Sequence, residues 1–262
     1  MDYFQDKVAL ITGGGRGIGL ATAELLASRG AKVVISDVND DDLSVAAAGL
    51  TAQGATVMAA RSDVSVDDDC RSVVSAALER FGRIDVLVNN AGVSIVAEFA
   101  QTRPEVARKL MDVNLMGTIY MTMAALDALK KSRGHIVFLG SVSGIRAIPE
   151  GGMYSASKAA LRSLAESLRL ELRPFGVHVG VIMPGFTTTD PRKTVMTGDG
   201  SARPINRPPH DTPQGVARAI ARMIEKRRRE RVLTPLGKLT SVMERLSPSL
   251  LDLLLSGRKL QN

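Results

Sequence analysis

Tryptophan is absent from the 262-residue chain, and the aromatic share is only 3%. So sparse a supply excludes a set of stacking platforms for single-stranded nucleic acid. Cysteine is nearly absent too. The lone Cys70 excludes a disulfide-stapled fold and fits a reducing compartment. No stretch approaches the ~20 consecutive apolar residues of a membrane-spanning helix. The opening run MDYFQDKVALITGG is acidic at its start, and its apolar part is too short for a secretory leader. The expectation is a cytoplasmic protein with neither a nucleic-acid partner nor membrane association.

What the chain has in ordinary measure is core. Hydrophobic residues make up 45% and charged residues 23%, as in a globular protein of one domain. The net charge of +7 owes much to EKRRRERV at 225–232. That run is expected to close a helix over 213–229, where cations complement the negative end of the helix dipole.

Short β-branched runs alternate with longer helical patterns. Strands are expected at 7–12, 32–36, 56–60, 85–88, 135–140, 177–183 and 231–234. Helices are expected near 17–29, 41–52, 67–81, 104–130, 152–174 and 213–229. Most strand runs are continuously apolar, as in strands covered on both faces. The reading is α/β: a Rossmann-type doubly wound parallel sheet of seven strands, with helices on both faces and the ligand site at the strands' carboxyl ends. The whole of 1–262 is then read as one domain. Residues 186–212, rich in Gly, Pro and Thr, read as a substrate loop or lid. Residues 235–262 read as a C-terminal helical extension. Its Leu239, Val242, Met243 and Leu246 recur at helical spacing and must bury against the body, a partner subunit or a membrane surface, with packing on the body the default expectation.

The first strand runs into TGGGRGIG, which places Gly13, Arg16, Gly17, Ile18 and Gly19 between a strand and a helix. Bare backbone and a helix N-terminus there suit a pyrophosphate. Asp37 ends the second strand and suits the adenosine ribose hydroxyls, which favours NAD. Arg16 pulls toward NADP, because a guanidinium can meet a 2′-phosphate. A carboxylate beside that phosphate is repulsive in any case, so NAD is preferred and NADP stays possible.

With TGGGRGIG, NNAG at 89–92, Asn114, Ser141 and YSASK at 154–158 in order, the sequence resembles the short-chain dehydrogenase/reductase family over about residues 6–190. The resemblance implies a catalytic tetrad of Asn114, Ser141, Tyr154 and Lys158. Tyr154 would be the general base or acid and Ser141 would hold the substrate oxygen. Asn114 would support a proton relay through water. Lys158, four residues beyond Tyr154, faces the same side of a helix and is expected to favour the phenolate. The cofactor set implied by the resemblance adds Asp63 and Val64 at the adenine, and Asn90, Ala91 and Gly92 along the adenosine side. It also includes Lys158 at the nicotinamide ribose, and Pro184, Gly185, Thr187 and Thr189 near the carboxamide. Thr187 stands where many members carry an aliphatic residue. His135, His178 and His210 lack metal-ligand spacing, so no metal is expected.

The implied activity is interconversion of a secondary alcohol and a ketone. Phe186, Val195, Met196 and Ile205, with the leucine-rich tail, suggest an apolar, lipid- or steroid-like substrate. An isomerase or dehydratase on the same fold, or a non-catalytic nucleotide sensor, are the alternatives. Family members usually assemble as dimers or tetramers through the helices at 104–130 and 152–174, so a homodimer or homotetramer is expected.

Overall fold

A computed structural model describes residues 2–187, 194–204 and 209–256. The first half alternates strictly: β1 (Val8–Thr12), α1 (Gly17–Ser28), β2 (Lys32–Asp37), α2 (Asp40–Ala52), β3 (Val57–Arg61), α3 (Asp67–Phe81) and β4 (Val86–Asn89). Then come α4 (Pro104–Met111), α5 (Gly117–Ser132), β5 (His135–Leu139), α6 (Gly152–Glu171) and β6 (His178–Met183). Two short strands, β7 (Thr194–Met196) and β8 (Ala202–Pro204), precede α7 (Pro213–Glu225) and β9 (Glu230–Val232). Helices α8 (Pro235–Leu246) and α9 (Pro248–Leu255) follow.

Seven strands form one parallel sheet in the order β3-β2-β1-β4-β5-β6-β9. All seven expected strands are in it. Successive side chains of a strand point to opposite faces, so each strand feeds two cores. Leu10, Val34, Leu87 and Phe138 meet α3, α5 and α6 on one face. Ile11, Val33, Ile35 and Val88 meet α1, α2 and α7 on the other. Strand order reverses between β1 and β4, which opens a crevice at their carboxyl ends. Asn39 caps α2 by accepting from the Asp42 N–H at 2.8 Å, and three aspartates in its first turn complement the dipole.

Four expectations need correction. The helix read over 104–130 is broken by a π-helical turn, Asp112–Met116, between α4 and α5. A register shift of this kind leaves the apolar pattern on both sides intact. Segment 194–204 holds an antiparallel hairpin, β7 on β8, outside the main sheet. The basic run does not close α7, which stops at Glu225. Arg227 has φ 48°, and β9 follows at once. Finally, α8 does not bury its apolar stripe on the body: Leu239, Val242 and Leu246 are exposed.

Candidate active site

The glycine turn lies at the crevice. Gly13 and Gly17 have φ of 62° and 58°, in the left-handed region that glycine adopts without strain. At Gly19 the constraint is space: a Cβ there would lie 2.0 Å from the Gly13 carbonyl oxygen. The turn is therefore a bare backbone cradle opening onto the N-terminus of α1, the fit that a pyrophosphate requires. Ile18 packs into the core beneath it. Arg16 turns toward α2, with Nε 3.7 Å from the Asp42 carboxylate. The Asp37 carboxylate faces the cradle and accepts from the Gly15 and Asn39 N–H groups, each at 3.1 Å.

The neighbouring strands complete this side. Thr12 Oγ1 accepts from the Asn90 and Ala91 N–H groups, and Asn90 Nδ2 donates to the Thr12 and Gly13 carbonyls. The Asn90 side chain is thus a strut between β1 and β4, which leaves its backbone to form the wall. Asp63 accepts from the Ser65 N–H and hydroxyl, while Val64 packs against Gly117. On the far side, the Pro184 carbonyl accepts from the Val142 N–H at 3.2 Å, which ties the end of β6 to the Ser141 turn. Gly185 packs against Thr234, and Thr187 is buried with its hydroxyl on the Gly185 carbonyl. Thr189 and Ile205 lie outside the described residues.

Ser141 ends the β5 segment and starts a short turn, Val142–Gly144, that lies on α6. A Cβ at Gly144 would lie 2.8 Å from the Lys158 carbonyl carbon, so only glycine lets the turn come this close. That approach sets Ser141 against the phenol of Tyr154. Burial pushes the Tyr154 pKa above the ordinary tyrosine value, and hydrogen bonds with the Ser141 and Ser94 hydroxyls pull it partly back. The lysine was expected to make this phenol more acidic. In this arrangement its ammonium lies 5.7 Å from the ring centroid and donates to the Leu139 carbonyl at 2.8 Å, and desolvation outweighs the opposing hydrogen bonds.

Asn114 sits in the π-helical turn and is fully buried. Its amide oxygen accepts from the Val93 N–H at 2.8 Å, and its nitrogen donates to the Val93 carbonyl and the Ser157 hydroxyl. This clamp fixes the loop after β4, in which a Cβ on Gly92 would lie 3.5 Å from Lys158 Nζ. The structure thus brings Ser141, Tyr154 and Lys158 together, with Asn114 behind them. It adds Ser94, which the sequence reading missed, because a serine in a turn carries no spacing signal. Ser94 also holds the hairpin: its carbonyl accepts from the Met196 N–H at 2.9 Å. Ile95, Met153 and Met196 form an apolar wall beside Tyr154. Among the described residues, no cluster of His, Cys, Asp and Glu is suited to a metal ion.

A parallel sheet that reverses at a glycine turn, with a serine, tyrosine and lysine gathered at the same edge, defines a Rossmann-type oxidoreductase. Comparison with known proteins narrows the class: the family model for short chain dehydrogenases matches residues 7–199. The chain belongs to that family. It is 32% identical over 259 residues to dehydrogenase/reductase SDR family member 7B of Xenopus tropicalis, covering 95% of this chain and 84% of that protein. A short chain dehydrogenase/reductase from Burkholderia phymatum, solved with NAD, superposes with a TM-score of 0.84 at 28% identity, covering 100% of this chain and 99% of that one. An alcohol dehydrogenase from Thermococcus sibiricus, solved with 5-hydroxy-NADP, gives 0.75 at 28% identity, covering 89% and 98%.

Proposed function

We propose that the protein is an NAD-preferring dehydrogenase or reductase that interconverts a secondary alcohol and a ketone on an apolar substrate. One observation carries the reading: the turn at Ser141 packs on the helix that bears Tyr154, and Lys158 follows Tyr154 one helical turn later with its ammonium 5.7 Å from the phenol ring centroid. Gly13, Gly17 and Gly19 would hold the pyrophosphate, Asp37 the adenosine ribose, and Asp63, Val64 and the backbone of Asn90–Gly92 the adenine side. Lys158, Pro184, Gly185, Thr187 and Thr189 would hold the nicotinamide end. The nicotinamide, when bound, accepts or supplies the hydride.

The protein's own part is proton handling. Ser141 positions the substrate oxygen, and Tyr154 takes its proton in oxidation or returns it in reduction. Lys158 favours the phenolate electrostatically once its ammonium faces the phenol. Asn114 is a positioning residue that holds the Gly92–Val93 backbone beside the lysine. The apolar wall of Ile95, Met153 and Met196 supports a substrate with little polar surface, and the pinned hairpin supports the reading of 186–212 as a lid. Exposed Met123 on α5 and Leu170 on α6 support self-association through these helices.

Tyr154→Phe tests the assignment. Loss of one positioned acid–base group lowers turnover about 10²- to 10⁴-fold. Titration of nicotinamide fluorescence is expected to show cofactor binding unchanged in the variant. Turnover of secondary alcohols undiminished by the substitution would refute the role.

A further inference from the structure

The C-terminal helices present an apolar face that the body leaves uncovered. At about 100° per residue, Leu236, Leu239, Val242 and Leu246 of α8 fall within an arc of about 120°. All four are exposed, Leu246 at 80%. The opposite side of α8 faces the protein: Gly237 is buried, and Glu244 pairs with Arg146 at 3.0 Å. Helix α9 repeats the arrangement, with Leu251 buried and Leu250, Leu253 and Leu254 exposed. Each of the two helices therefore carries an exposed apolar stripe on its outer side.

Charge identifies what it meets. On α8, Lys238 and Arg245 lie about 20° apart along one edge of the stripe. Beside it, Arg228, Glu230, Arg231, Val232, Lys238 and Ser241 line an open cleft of about 360 Å³. The nearby acids are already engaged: Glu225 with Arg29, Glu230 with Arg162, and Glu244 and Asp252 with Arg146. Among the described residues, Arg228, Arg231, Lys238 and Arg245 pair with no carboxylate. A leucine stripe edged by uncompensated cations matches the two zones of a bilayer surface, acyl chains below and anionic headgroups above. A second copy fits less well, because a twofold contact through this face would bring like-charged borders together.

We propose that α8 and α9 dock the protein on an anionic membrane surface, with the leucines at the acyl boundary and the cleft holding lipid phosphate. This reverses the expectation of no membrane association. It is peripheral docking, since no helix among the described residues is long and apolar enough to cross a bilayer. It does not depend on the proposed reaction, because binding is read without turnover.

The test is co-sedimentation of the full chain with vesicles of phosphatidylcholine alone and of phosphatidylcholine mixed with phosphatidylglycerol. Binding is expected to the mixed vesicles and to fall steeply with added salt. Leu239→Ser with Leu246→Ser, and separately Lys238→Glu with Arg245→Glu, should each reduce the bound fraction about tenfold. These positions are exposed, so thermal midpoint and NAD binding should stay at wild-type values. No binding to mixed vesicles overturns the proposal, as does equal binding by the variants. So does a wild-type oligomer that the leucine substitutions dissociate, with no vesicle binding.

Discussion

Asp37 is the side chain on which the proposed NAD preference rests. Both carboxylate oxygens accept from backbone N–H groups of the cradle and the following turn, so the charge is held against the glycine cradle. Asp37→Asn keeps an acceptor and removes the charge. The ratio of kcat/KM for NAD over NADP is expected to fall about 10- to 100-fold, which corresponds to about 1.4–2.7 kcal/mol. Steady-state kinetics with both cofactors checks this, and an unchanged ratio would shift the discrimination to Arg16. At this scale the sequence was informative where residues recur in a fixed order, as in the glycine turn and the Ser–Tyr–Lys group. It was silent on Ser94, whose role exists only because the β4 loop folds back over Tyr154. The direction of the Tyr154 shift was equally hidden, since desolvation depends on what surrounds the ring.

The element scale explains the other differences. Apolar spacing revealed the seven sheet strands and most helices, because burial on both faces leaves a direct mark on composition. It could not reveal the π-helical turn at Asn114, which changes hydrogen-bond register without changing which residues are apolar. Nor could it reveal β7 and β8, at three residues each too short to show a period. The stripe on α8 was visible as a stripe, but spacing alone does not say whether it turns inward. What orients α8 and α9 is polar: Arg146, five residues after Ser141, binds Glu244 and Asp252. These pairs are partly exposed, so each contributes at most about 1 kcal/mol. Arg146→Ala is therefore expected to lower the thermal midpoint by only about 2–4 °C. It should speed amide exchange in α8 and α9 while leaving the sheet protected. Hydrogen-exchange mass spectrometry checks this, and uniform acceleration across the chain would contradict it.

For the whole molecule, the end of the sheet opposite the site sets acid tolerance. His135 and His178 begin β5 and β6, and both are buried with ring centroids 5.4 Å apart. His135 Nε2 shares a 2.7 Å hydrogen bond with the Tyr3 hydroxyl. Burial, followed by the neighbouring His178, lowers His135 to about 3. Burial and then the Arg227 charge lower His178 to about 4. The unfolded chain binds these protons near the ordinary value of ~6.5, which the native protein does not, so stability falls as pH drops below that value. The loss continues until the folded values are passed and amounts to on the order of 5 kcal/mol near pH ~4. A domain is stable by only about 5–15 kcal/mol, so this is a large fraction. Denaturant melts of wild type and His178→Leu from neutral to acid pH check it: the variant should lose less on acidification. An equal loss in both would place the acid sensitivity elsewhere.

The Arg146 clasp has a consequence for divergence. The tyrosine, serine and lysine lie within the span shared with the short chain dehydrogenases, which ends at residue 199, whereas the helices leaning on the Ser141 turn come after it. Two polar tethers on one guanidinium join the part matched by the family model to the helices that follow it. Substituting another C-terminal segment that keeps partners for Arg146 should therefore leave the proposed proton chemistry in place.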